Sequence, residues 1–253
     1  MISFSALHGL AAGGALKDLT SPAFRDLQRA LAFLTYSPGK IDGAYGANTA
    51  SAWTQFRQDL GETANEEVSG TALASLAQRS SAFDTILAAP ALDKAAVQRA
   101  IVEACKVAGL ILKTQQAYVL ATAEHETNAT FQPVREAYWV KNAEAWRKTH
   151  LAYWPYYGRG YVQLTWKENY DNYGRILGID LVSNPDLALD HYGATFVLVQ
   201  GFKTGAFTGH KLTEYVNAHR TDFVGARYCI NGQDKADHIA GLANAWLARL
   251  QPA

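Results

Sequence analysis

"KTQQAYVLATAEHETNATFQPVRE" (residues 113–136) decides the fold. Its first half is apolar and small in helical register, with Tyr118, Val119, Ala121 and Thr122 leading into Glu124, His125 and Glu126. "NATFQP" then breaks the pattern, and Pro133 cannot continue a helix. A core helix that stops at a carboxylate needs a reason, because glutamate is rarely buried unless it is paired or used. The spacing predicts that Glu126 ends the helix and that the turn at Pro133 brings Glu136 back toward it.

Working outward, the same helical periodicity recurs on both sides. "DKAAVQRAIVEACKVAGL" precedes the stretch, and "DLALDHYGATFVLVQGFKTG" and "DKADHIAGLANAWLARL" follow it. Further upstream, "TSPAFRDLQRALAFL" opens with Ser21 as candidate N-cap and Pro22 in the first turn, and it sets Phe24, Leu27, Leu31 and Leu34 on one face. "SPGKIDGAYG" is turn chemistry. "NTASAWTQFRQDL" restarts a helix with Trp53 and Phe56 on its apolar face, and a third short helix is expected over 71–76. The chain is therefore read as mainly α. A small three-helix domain covers 1–80, a linker 81–92, and a larger helical domain 93–253, with room for a short hairpin near "GYVQLT".

Composition bounds the chemistry. The chain has 253 residues, 49% hydrophobic and 18% charged, which excludes disorder. Residues 1–85 carry 6 basic and 8 acidic groups and residues 86–253 carry 17 and 15, so neither half offers a nucleic acid a basic face. A substrate is then found by shape and stacking. Cys105 and Cys229 are too few for a disulfide framework, which points to a reducing compartment. The N-terminus lacks the basic segment of a secretory signal, and no apolar run approaches the roughly 18–20 residues of a membrane span. The expectation is synthesis in the cytoplasm, no stable membrane association and a monomer.

Two carboxylates across a cleft suit glycoside hydrolysis, one giving a proton to the leaving oxygen and the other activating water. From residue types alone, an ion pair of Glu126 with Arg135 beside a solvated Glu136 is an equally good reading. "HE" alone does not make a metal site, because position 129, where a second histidine would stand, is alanine; no metal or cofactor is expected. Neither cysteine has a motif partner for nucleophilic chemistry. In "AYWPYYGRGYVQLTWKENYDNYG" (152–174) the aromatics leave helical spacing, and Gly158 and Gly160 flank Arg159. An alternating "GYVQLT" would turn Gln163 and Thr165 to one side. Tyr157, Arg159, Gln163 and Asn169 are accordingly candidate substrate contacts in a cleft fit for a neutral polysaccharide.

"HET" with a second glutamate, "YYGRGYVQLTWKENY", "NPDLAL" and "INGQDKADHIAG", in that order, resemble glycoside hydrolase family 19, which includes plant-type chitinases and lytic enzymes of bacteriophages. The resemblance covers roughly 95–250. It implies Glu126 as general acid and Glu136 as general base of an inverting reaction. It further implies that Thr165 holds the attacking water, that Gln163, Asn169 and Asn231 contact sugar, and that His125 supports them. The usual "HETGG" of plant chitinases is "HETNA" here, and the loop between the glutamates is short, which favours the phage lysozyme-like branch. Residues 22–60 resemble the three-helix peptidoglycan-binding module of cell-wall hydrolases, with wall binding expected around Asp42, Gly43 and Tyr45. Together these imply a phage endolysin whose partner is bacterial peptidoglycan.

Overall fold

The computed structural model describes residues 4–7, 10, 12–87 and 93–250. The chain divides into two compact units, residues 1–88 with 174–179, and residues 89–173 with 180–253.

The first unit is built on α1 (Ser21–Phe33), α2 (Ala47–Asp59) and α3 (Gly70–Leu87). Pro22 stands in the first turn of α1, and the N-cap is Thr20. Phe24, Leu27, Leu31, Trp53, Phe56 and Leu76 are almost wholly buried and form the core. The third helix is longer than 71–76, so residues 81–87, read as linker, are helical. The small polar residues there do not break it, because their hydroxyls bond back into the helix: Ser80 to Leu76 O, Ser81 to Gln78 O and Thr85 to Ser81 O. Phe83 then anchors this turn edge-on against Phe33. Residues 88–92 of the expected linker lie outside the described residues.

Between α1 and α2 the "KIDGAYG" turn is held by one buried amide. Gln28 Oε1 accepts from the Asp42 and Gly43 backbone at 3.0 and 2.8 Å, and Gln28 Nε2 donates to Ala44 O and Thr49 Oγ1. Gly43 has φ of 80°, and a Cβ on it would lie 2.6 Å from Ser21 Oγ, so this position requires glycine.

The second unit is helical apart from one two-stranded ribbon. It contains α4 (Lys94–Val107), α5 (Lys113–Glu126), α6 (Ala143–His150), α7 (Lys167–Leu177, up to Tyr173), α8 (His191–Thr204), α9 (Leu212–Tyr215) and α10 (Ala236–Leu250). Helix α5 is buried at every position from Gln115 to Ala123, and α8 from Gly193 to Phe202. A helix that is not amphipathic belongs inside, and α4 and α10 cover these two. Burial of polar groups on α5 is compensated: Gln115 Nε2 donates to Val216 O at 2.9 Å, and Gln116 Nε2 to Leu110 O and Ile111 O. Asp93 caps α4 by accepting from Ala96 N at 2.7 Å, and Gly205 ends α8 in the left-handed conformation.

The ribbon pairs β1 (Val134–Arg135) with β2 (Arg159–Gly160), antiparallel, with Val134 opposite Gly160 and Arg135 opposite Arg159. The short hairpin expected near "GYVQLT" takes this form: β2, ending at Gly160, pairs with the segment after Pro133, and an antiparallel bridge from Arg159 to Leu164 closes the local turn. Residues 161–165 do not alternate as a strand. Arg159 and Leu164 exchange backbone hydrogen bonds, and Gln163 takes φ of 56°, which makes a tight turn. No helix among the described residues is long and apolar enough to cross a membrane. Cys105 and Cys229 are free and buried, and burial pushes both thiols well above the usual range, Cys229 to about 12.

Tyr118, in the middle of α5, stacks on Phe223 and meets Phe202 edge-on. Its hydroxyl is buried with no hydrogen-bond partner among the described residues. A buried donor without a partner costs about 1–3 kcal/mol. Tyr118→Phe is therefore expected to leave the melting temperature unchanged or raise it; a drop equivalent to more than about 1 kcal/mol would mean that the hydroxyl is bonded.

Candidate active site

Helix α5 ends at Glu126, and the way it ends fixes the carboxylate. Asn128 N donates to His125 O at 3.2 Å and Ala129 N to Glu124 O at 2.7 Å, the paired bonds of a Schellman stop. Asn128 and Ala129 take φ of 48° and 60°, at the two positions where "HETNA" replaces "HETGG". Thr127 is fully buried; its hydroxyl donates to Ala123 O at 2.7 Å and accepts from Phe131 N at 3.0 Å. Phe131, itself fully buried, packs edge-on against Trp246 of α10, and Trp246 Nε1 donates to Glu124 Oε2 at 2.6 Å. Glu124 is thus a structural tie, while Glu126 faces the other way.

Glu126 and His125 open onto a cleft of about 400 Å³ with Asn128, Val134, Arg135, Tyr138, Trp139 and Gln163 on its walls. Trp139 is 74% exposed there. Glu126 does not pair with Arg135. Its partner is Arg227, whose Nη1 donates to Glu126 Oε1 at 3.2 Å and whose Nε donates to Asp234 O at 3.0 Å. The Arg227 side chain is only 4% exposed, while Glu126 keeps a face to the cleft, so the pair is desolvated on the arginine side. It lies 101 residues along the chain from Glu126. The only signal in the sequence was a lone arginine in the apolar run "FVGARYCI" (223–230). His125 is held below the ordinary histidine range, chiefly by burial, with Arg227 and His238 acting in the same direction against the pull of Glu126.

Glu136 follows β1 directly. Its backbone N donates to Gly158 O at 2.7 Å, its Oε2 accepts from Gly158 N at 2.9 Å, and its Oε1 accepts from Tyr153 OH at 2.8 Å. Arg147 Nε donates to its carbonyl at 2.6 Å. Both carboxylate oxygens are therefore fixed by donors. Burial, then the bond to Glu136, pushes the Tyr153 phenol up to about 12, so it stays a donor at neutral pH. Glu136 is not among the residues lining the Glu126 cleft.

The remaining candidates separate into cleft and scaffold. Gln163 lines the cleft, and it reaches there because Gly158 has no side chain: a Cβ on Gly158 would lie 2.6 Å from Gln163 Oε1. Thr165 donates to Gln163 O at 2.7 Å, and Asn169 Nδ2 donates to Thr165 O at 2.8 Å, so both brace the turn that presents Gln163. Arg159 is buried and bonds Asp186, Pro155 O and Tyr170 OH, with its guanidinium 3.7 Å from the Tyr157 ring centre. Tyr157 is buried and donates to Glu144. Asn231 is exposed, and its side chain accepts from Gly232 N at 2.8 Å. Among the described residues no three His, Cys, Asp or Glu side chains gather as a metal-binding group.

In the first unit, Asp42 and Tyr45 line a depression of about 350 Å³ with Lys40 and Asn48. Backbone and Gln28 hydrogen bonds hold the exposed Asp42 carboxyl below the usual range. Gly43 is buried beneath the turn and shapes it from below.

The left-handed Ala129 carries a testable cost. A non-glycine residue there loses roughly 1–2 kcal/mol, offset in part by the greater freedom of glycine in the unfolded chain. Ala129 is exposed, so its methyl packs on little. Ala129→Gly should raise stability by about 0.5–1 kcal/mol, read as a small rise in melting temperature; a fall would mean that the turn does not hold this conformation in solution.

Parts of the chain are similar to known proteins. Residues 113–206 match the family model of glycoside hydrolase 19, chitinase class I. A segment is 67% identical over 33 residues to chitinase 11 of Oryza sativa subsp. japonica, covering 13% of this chain and 13% of that protein. Another is 52% identical over 42 residues to basic endochitinase B of Arabidopsis thaliana, covering 14% and 12%. The chain thus matches these curated relatives over about an eighth of their length. The crystal structure of chitinase C from Streptomyces griseus HUT6037 aligns over 67% of this chain and 73% of that one, with 20% identity and a TM-score of 0.43. The matched residues, 113–206, hold the buried helix, the turn after Glu126, the ribbon and α8.

Proposed function

We propose that this chain is a glycoside hydrolase that cleaves β-1,4 bonds of bacterial peptidoglycan with inversion, and that it is the lytic enzyme of a bacteriophage. The observation that carries the reading is Glu126, a carboxylate delivered by the end of a buried helix into an open cleft beside an amide and exposed aromatics. In this reaction Glu126 gives its proton to the leaving glycosidic oxygen. Water attacks the sugar carbon from the opposite face and passes its proton to Glu136, whose two fixed oxygens act as acceptors. Thr165 already donates to Gln163 O, which leaves its oxygen free to accept from that water. Gln163 bonds the sugar, and Trp139 offers an aromatic face. Chitin is the second reading, favoured by the chitinase names of the matched relatives.

The expected result is release of fragments from purified murein, with the inverted anomer as first product in an NMR time course, and little release from chitin. Glu126→Gln should fold normally and lose at least about 100-fold in rate. Near-wild-type lysis by folded Glu126→Gln, or a retained first anomer, sinks the mechanism; faster cleavage of chitin than murein selects the second reading.

The first unit, on this proposal, holds the enzyme on the wall. Its depression presents Lys40, Asp42 and Tyr45, and tethering raises local concentration on an insoluble substrate. The enzyme acts as a 27.6 kDa monomer, held in the host cytoplasm until it is released to the wall. In the Glu126→Gln background, the full chain should co-sediment with sacculi and elute as a monomer on size exclusion. Adding Tyr45→Ala and Asp42→Ala should lower the bound fraction severalfold; unchanged sedimentation removes the binding role from this depression.

A further inference from the structure

A second, larger cleft of about 750 Å³ adjoins the one that holds Glu126. The two share Val134, Arg135 and Tyr138, so β1 forms the ridge between them and Arg135 stands on it. None of the proposed chemistry uses this second space. Its walls are also chemically unlike those of a site for a neutral sugar.

The charges in it are held in fixed positions. Arg147 and Arg159 are nearly buried, at 5% and 4% side-chain exposure, with their guanidinium carbons 4.8 and 3.7 Å from the Tyr157 ring centre. Glu144 is 63% exposed, yet it is gripped by three donors: Arg147 Nη1 at 3.0 Å, Tyr157 OH at 3.1 Å and Trp154 Nε1 at 3.2 Å. Those bonds to Trp154, Tyr157 and Arg147 hold its carboxyl below the usual range against burial, so it is charged at neutral pH. At the other end Arg135, 42% exposed, shares Asp186 with Arg159. Of the guanidinium's five N–H donors, one on Nη2 bonds Asp186 and another interaction engages the Tyr157 hydroxyl, which leaves donors for a ligand. The cleft therefore presents two exposed carboxylates, Glu144 and Asp186, and one exposed guanidinium, Arg135, beside the nearly buried Arg147 and Arg159; of the two carboxylates only Asp186 is ion-paired to Arg135.

We infer that this second cleft binds the charged peptide branch of the glycan, with Arg135 taking a branch carboxylate and Glu144 a branch ammonium. The inference rests on the peptidoglycan reading above. Chitin repeats one neutral unit and has nothing to pair with either group. Peptidoglycan carries, on alternate sugars, a short peptide with free carboxylates and, where its third residue is a diamino acid, a free ammonium. A branch leaving a sugar beside Glu126 has to cross the β1 ridge, and Arg135 is the first charge that it meets. An exposed pair contributes modestly, while a charge-assisted bond to an oriented partner contributes more. The effect belongs in substrate preference, not in the chemical step.

The test uses the full chain on soluble glycan strands that carry tetrapeptide stems and on the same strands after an amidase has removed the stems. The wild type should cleave the peptide-bearing strands with the higher kcat/KM. Glu144→Gln keeps the shape and an acceptor; it should cut the ratio of the two kcat/KM values about 3- to 10-fold, through KM. Arg135→Gln should lower the same ratio, and Arg135→Lys should restore part of it. Equal kcat/KM on both strands for the wild type, or an equal loss on both for the variants, overturns the branch site and leaves the peptidoglycan reading standing. Cleavage of chitin oligomers with no cleavage of either strand overturns the peptidoglycan reading and the branch site together.

Discussion

Helix α5 is buried at every position from Gln115 to Ala123, and that constraint organises the second unit. A helix enclosed along its length can offer a carboxylate to solvent only where it ends. Everything after Glu126 serves to end it there: the Schellman bonds at Asn128 and Ala129, the buried Thr127 hydroxyl, and Phe131 locked under Trp246. Fully burying a side chain such as Leu120 contributes about 1.5–3 kcal/mol, so the helix cannot slide outward to relieve strain in the turn. The strain of left-handed non-glycine residues is carried by the packing behind them.

Two ion-paired systems flank this helix end and do different work. Arg227 with Glu126 is desolvated on the arginine side, so truncating Glu126 would leave the buried guanidinium without its partner, whereas Glu126→Gln keeps an oxygen that can accept from it. It also draws the segment 225–234 onto the end of α5. The cluster of Arg135, Glu144, Arg147, Arg159 and Asp186 is half solvated and fastens β1, β2 and α6 around Tyr157. The first positions an acid; the second builds a wall of fixed charge next to it. One short ribbon separates them, which is why Val134, Arg135 and Tyr138 face both clefts, Arg135 being the one charge among them.

Several residues first read as ligand contacts carry structure as well. Gly158 admits the Gln163 side chain, and its backbone N and O both bond Glu136. Tyr157 and Arg159 are buried beneath the second cleft, and Asn169 braces the turn at Thr165. The apolar and polar residues of 160–165 alternate as in a strand, but the Arg159–Leu164 bonds close the segment into a turn. In the first unit, Gln28 of α1 holds the "KIDGAYG" turn through four hydrogen bonds and reaches Thr49 of α2 with a fifth.

By itself the sequence determined α1, α2, α4, α5, α8 and α10, the end of α5 at Glu126 and the break at Pro133, because periodicity, proline and turn residues act over a few neighbours. It also determined that Glu124 points away from Glu126, since residues two apart on a helix do not share a face. Only the tertiary structure decided that Glu126 pairs with Arg227 and not with Arg135. It alone decided that β1 pairs with β2 across an intervening helix, and that the charges around Tyr157 gather into a second cleft. Those outcomes depend on contacts between segments far apart in the chain, 101 residues for Glu126 and Arg227, and no local pattern encodes that choice.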